Sequence, residues 1–80
     1  MKKGIYSKEN QYFLDLMVQA RLKMGVTQAE LAKRLETPQS FVSKYEKGER
    51  RLDVIEFVTV CKTLKVDSRK IFNRILRLMK

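Results

Sequence analysis

Histidine is absent from this 80-residue sequence, and cysteine occurs once, as Cys61. One chain therefore cannot build a disulfide or a zinc site of the usual ligand spacing. No nucleophile stands beside a base, and so short a chain has no room for a substantial pocket, so an enzyme is not expected and no cofactor is implied. Cys61 reads as a small buried hydrophobe of a reducing compartment. No stretch approaches the ~20 apolar residues of a membrane span, and the charged N-terminus from Met1 to Ser7 has no apolar segment behind it, so the expected location is cytoplasmic. Carboxylates are scarce as well: 9 Asp and Glu face 18 Lys and Arg.

That imbalance gives a formal charge of +9 and a pI near 10.0, enough to raise a positive field over part of a small surface. Nucleic acid or an anionic membrane is the partner such a field favours. With 44% hydrophobic residues, three glycines and one proline, the composition fits a folded helical domain and not a disordered basic tail. A single domain over residues 1–80 is expected.

The apolar spacing parses into five helices, an all-α fold. The first runs from about Ser7 or Glu9 to Met24, with Phe13, Met17, Ala20 and Met24 at helical spacing and Gly25 placed for a left-handed cap. Thr27 and Glu30 have capping-box spacing, and Leu31, Ala32 and Leu35 form the buried face of a two-turn second helix. Thr37 is expected to cap a third helix with Pro38 at its first position and Gly48 at its end. Asp53 and Glu56 repeat the capping-box pattern before a fourth helix that is apolar around much of its circumference, and so expected to be the most buried. Asp67 or Ser68 caps a fifth helix, to about residue 79, with Ile71, Phe72, Ile75, Leu76, Leu78 and Met79 on one arc and Arg69, Lys70, Arg74, Arg77 and Lys80 on the other.

Residues 27–48 have the length and punctuation of a helix-turn-helix. Ala32 allows the two helices to approach closely, and Val42 and Tyr45 can close the core from the second of them. At about 100° per residue, Pro38, Phe41, Val42 and Tyr45 share one arc of the third helix. Gln39, Ser40, Ser43, Lys44 and Lys47 share the other, which carries no carboxylate. Gln can pair with adenine, Lys with guanine, and Ser with base or phosphate, so Gln39, Ser40, Ser43 and Lys44 are the base-facing candidates. Phe41 stays open between core packing and a thymine methyl contact. Gln28 opens the second helix, where free N–H groups favour a phosphate, and Lys47, Arg50 and Arg51 leave the third helix in reach of a phosphate run.

The segments "TQAELAKRL" and "PQSFVSKYEKGERRLDV" resemble the Cro/repressor-type (XRE-family) helix-turn-helix regulators of bacteria and phages, over about residues 10–72. The resemblance implies a compact five-helix bundle, double-stranded DNA as partner, and a homodimer on a near-palindromic operator. It places Gln28 on a phosphate-contacting position, Gln39, Ser40, Ser43 and Lys44 on base-reading positions, and Lys47 with the Gly48 backbone on a phosphate clamp. It also places Arg21 and Glu46 on a structural salt bridge between the first and third helices. The chain departs from the pattern at Glu36, where relatives often have Gly, so Glu36 adopts a left-handed conformation or the turn differs.

The expected function is a repressor-type transcriptional regulator, and no membrane role is expected. An antitoxin or other protein-interaction module, or the controller protein of a restriction–modification locus, stays open as an alternative, with a toxin or RNA polymerase as protein partner. The fifth helix is read as core lid plus dimer seam through Ile71, Phe72, Ile75, Leu76 and Met79.

Overall fold

The computed structural model describes residues 4–80. Met1 to Lys3, part of the N-terminal stretch searched for a targeting segment, lie outside the described residues. Five helices follow one another: α1 (Lys8–Lys23), α2 (Gln28–Leu35), α3 (Gln39–Glu46), α4 (Val54–Leu64) and α5 (Ser68–Leu78). Each of the first four ends the same way, with the chain turning through the left-handed region and two amides bonding back to the last carbonyls. In α2 these bonds are Thr37 N to Ala32 O at 3.0 Å and Glu36 N to Lys33 O at 3.1 Å; in α3 they are Glu49 N to Lys44 O at 2.8 Å and Gly48 N to Tyr45 O at 3.1 Å. Gly25 and Gly48 take the left-handed positions after α1 and α3, at φ 70° and 79°, as their sequence positions predict. Glu36 does so after α2 at φ 58°, and Lys65, which no local signal marked, does so after α4 at φ 61°.

The helix starts depart from expectation at two places. Thr37 does not cap α3: its Oγ1 is buried without a partner, and Pro38 is itself the N-cap residue, with an extended backbone at φ −63°, ψ 151°. The restricted φ of proline, which suits the first helical position, suits this junction equally well. Thr27 accepts from Glu30 N at 3.0 Å, but the Glu30 carboxylate turns to Arg34 at 2.9 Å, so only half of that box closes. The Asp53–Glu56 box closes in both directions.

The core draws on every helix: Leu14 and Met17 from α1, Leu31 and Ala32 from α2, Val42 and Tyr45 from α3, Val60, Cys61 and Leu64 from α4, and Ile71 from α5, with Val26 from the first turn. Burial raises the Cys61 thiol to about 11, so it stays protonated and unreactive at neutral pH. α4 has three of its eleven residues buried, a larger share than any other helix, but its apolar circumference is not buried all round. Its C-terminal half enters the core, but its first turn projects past the neighbouring helices and leaves Val54 and Ile55 72% and 74% exposed. An apolar circumference set two possible inward faces, and the packing of α2 and α5 against α4 used only part of it.

Candidate nucleic-acid interface

α3 is held in place by its one carboxylate. Glu46 accepts from Arg21 Nε at 2.7 Å and Arg21 Nη2 at 3.0 Å, and from Gln28 Nε2 at 2.8 Å. Arg21 uses its remaining nitrogen on the Val26 carbonyl at 2.8 Å. Both charged side chains are below 10% exposed, and the Glu46 carboxylate raises the Arg21 guanidinium above its already high ordinary value. One buried cluster therefore ties α1, α2 and α3 together at the C-terminal end of α3. It also removes the only negative charge of α3 from solvent.

With Glu46 turned inward, the outward side of α3 consists of Gln39, Ser40 and Lys44, all exposed, and the half-buried Ser43. Lys47 and Arg51 are exposed just beyond the helix. The expected base-facing polar residues thus share one solvent face, opposite the fully buried Val42 and Tyr45. The Tyr45 hydroxyl has no hydrogen-bond partner, and burial raises its pKa well above the usual phenol range. Gln28 sits at the edge of this face: it gives one amide hydrogen to Glu46 and retains a second. Gly48 is buried, its N–H engaged by Tyr45 O, and a Cβ there would come 3.3 Å from Gln11 Nε2.

Phe41 and Arg50 lie elsewhere than the other candidates. The Phe41 ring packs in a T-shape with Tyr45 at 5.5 Å between centroids and is half-buried, while the Arg50 guanidinium lies over the Phe41 ring at 4.6 Å. Arg50 is paired in turn with Glu56, Nη1 to Oε1 at 2.9 Å and Nη2 to Oε2 at 2.7 Å, and Nη1 also donates to the Arg51 carbonyl at 2.7 Å. The pairing holds the Glu56 carboxyl below the usual carboxylate range, helped by the Asp53 amide. Sequence spacing could not find this unit, because it depends on the path of the chain between α3 and α4.

On α5 the expected seam divides. Ile71 is 8% exposed and belongs to the core, Ile75 is half-buried, and Phe72, Leu76 and Met79 are exposed together with Leu78. Phe72 and Ile75 line an apolar depression with Phe13, Leu52, Phe57 and Val54, so the exposed surface continues onto α4 through a residue that periodicity did not single out for it.

A family model described as helix-turn-helix matches residues 17–71. The chain belongs to the helix-turn-helix family. The XRE branch of it is indicated by a solved XRE-family-like protein from Pseudomonas syringae pv. tomato str. DC3000, 46% identical, with 90% of this chain and 88% of that one covered at a TM-score of 0.85. A point mutant of a restriction–modification controller protein aligns over 91% of this chain and 92% of its own at a TM-score of 0.78; at 23% identity this likeness speaks to the fold alone. No curated protein sequence matches. As a family member the chain is a DNA-binding transcription regulator, and membership points to a non-enzymatic one. Among the described residues, no helix of this XRE-family chain is long and apolar enough to cross a membrane, and no group of three His, Cys, Asp or Glu could hold a metal ion.

Proposed function

We propose that this regulator is a repressor that binds a near-palindromic operator as a homodimer, one recognition helix per half-site, in the cytoplasm. The observation that carries the reading is the α3 surface: an exposed row of Gln39, Ser40 and Lys44 with Ser43, from which the helix's only carboxylate has been drawn inward. A polyanion meets no unpaired negative charge on that helix. In the first turn Gln39 and Ser40 would enter the major groove most deeply, with Gln39 suited to adenine and Lys44 to guanine. The second amide hydrogen of Gln28 and the side chains of Lys47 and Arg51 would hold flanking phosphates, whereas the Gly48 amide is already bonded to Tyr45 O. Exposed Phe72, Leu76 and Met79, with Val54 beside them, are the proposed dimer surface, which would set the two α3 helices about one helical turn of DNA apart. Repression follows from occupying sequence that polymerase needs.

Selection of bound duplexes from a random pool supplies the operator and the half-site spacing. On that operator and on a scrambled duplex, Gln39→Ala is expected to lose about 1–3 kcal/mol on the operator alone. Arg51→Ala is expected to weaken both duplexes and lower the salt slope by about one. Equal losses on both duplexes for Gln39→Ala would count against base reading.

A further inference from the structure

We propose that Arg50 is a positioning residue for DNA reading: it fixes Phe41, and through it the first turns of α3, against the N-terminal cap of α4, and it does not hold a phosphate. The proposal rests on the DNA-binding reading above. Its support is a continuous chain of contacts from one helix to the other. The Phe41 ring packs in a T-shape with fully buried Tyr45, centroids 5.5 Å apart, and the Arg50 guanidinium lies over it at 4.6 Å. That guanidinium makes two parallel bonds to Glu56, at 2.9 and 2.7 Å. Glu56 Oε1 also accepts from Asp53 N at 2.9 Å, and Asp53 Oδ1 accepts from Glu56 N at 2.7 Å, so the same carboxylate starts α4.

This chain of contacts complements the Glu46 cluster. Glu46 secures the C-terminal end of α3 to α1 and α2, but Gln39 and Ser40 lie at the opposite end, next to Phe41. Pro38, the N-cap residue, makes no side-chain cap bond there, so beyond the backbone bonds of the α2–α3 turn that end is held by side-chain packing. Beside the ring is an open groove of about 300 Å³, lined by Leu35, Thr37, Ile55 and Thr59 as well as Phe41 and Arg50. Without the guanidinium over it, the ring has space to swing, and the first turn of α3 can follow. A phosphate ligand would leave Arg50 facing outward with its charge free. Here the charge is met by Glu56, and three hydrogen bonds fix the plane of the group. Planarity and the bidentate fork are properties of arginine that lysine cannot supply.

The test compares Arg50→Lys, Arg50→Ala and Glu56→Gln with the unaltered protein on the operator duplex recovered from a random pool and on its scrambled version, across several salt concentrations, with folded fraction followed by circular dichroism. Both Arg50 variants are expected to lose roughly tenfold in operator affinity, the scale of one disturbed base contact. The scrambled duplex and the salt slope should be unchanged. Glu56→Gln is expected to lower operator affinity in the same selective way, and combining it with Arg50→Lys should add little, because both break one unit. Full activity of Arg50→Lys, a parallel loss on both duplexes with a slope lower by about one, a loss accounted for by folded fraction, or tighter binding by Glu56→Gln would each overturn the proposal. Enrichment of no sequence by the unaltered protein would sink the DNA-reading assignment and the proposal with it. An enriched operator on which Arg50→Lys binds normally would sink the proposal alone.

Discussion

α3 and α5 each expose a surface that the rest of the fold does not cover, and the two surfaces are of different kind. The outer side of α3 is polar or cationic, and behind it Val42 and Tyr45 are wholly buried while Glu46 is bonded to two other helices. α5 exposes Phe72, Leu76 and Leu78, followed by Met79, beside its cations Arg69, Lys70, Arg74 and Arg77, and Ile71 is its one buried residue. A helix that must present hydrogen-bonding groups at fixed positions needs directional restraints, and α3 has them at its C-terminal end in Glu46 and on its flank in Phe41 and Arg50. Apolar contact is not directional and scales with the area covered, so α5 needs no comparable restraint to offer its surface. The difference separates a geometry that is already set from one that a second body would complete.

Removing the restraint on α3 should have the largest effect. Glu46→Ala leaves the Arg21 guanidinium buried without its partner and releases Gln28, and breaking a buried pair in this way costs about 3–5 kcal/mol. For a chain of this size that is a large share of total stability, and the thermal midpoint followed by circular dichroism is expected to fall by at least about 12 °C. Glu30→Ala serves as the control, since its pair with Arg34 is exposed on both sides and contributes less than about 1 kcal/mol. Equal effects from the two substitutions would show that the buried cluster does not hold α3.

How much of this contrast the sequence revealed follows from how local each feature is. Gly25, Gly48 and the Asp53–Glu56 box announce helix ends through residues within a few positions of one another, and the structure has them as read. The helix-turn-helix unit was legible for the same reason, through its length, its punctuation and the two faces of α3. The Arg21–Glu46 pair spans 25 positions, and only the family resemblance placed it. The Arg50–Glu56–Phe41 unit needed the path between α3 and α4, whereas the sequence offers only the charge of Arg50 and its place after the third helix, which point to a phosphate contact. Periodicity gave α4 two apolar sides but could not say that Val54 and Ile55 project beyond their neighbours. Lys65 was missed because nothing in its composition signals a left-handed residue.

A charge on the α5 surface addresses the other side of the comparison. Phe72→Glu combined with Leu76→Glu places two carboxylates within the proposed dimer surface, while Ile71 and the monomer core are untouched. Sedimentation should then show a monomer, and operator affinity should fall about a hundredfold as the two half-sites are no longer bound together. The thermal midpoint measured at low protein concentration should change little. A dimer that persists would move the interface away from α5, and unaltered operator affinity in a monomer would remove the need for two copies.

The smallest expected effect separates backbone strain from function within the helix-turn-helix itself. Glu36 and Lys65 occupy matching positions, each left-handed after its helix with φ near 60° and each a residue that pays for that conformation through its Cβ. Replacing either with glycine removes that strain, for a gain of about 1 kcal/mol in chemical denaturation. Lys65 lies between α4 and α5, far along the chain from the α2–α3 turn, so Lys65→Gly should leave operator binding unchanged. Glu36 sets the turn that orients α3, yet Thr37 N and Glu36 N already fix that turn by bonding to Ala32 O and Lys33 O, and a glycine makes the same two bonds. Stability should therefore rise at both sites and operator affinity should hold at both. A stability gain at Lys65 without one at Glu36 would mean that the Glu36 side chain contributes more than its backbone strain costs.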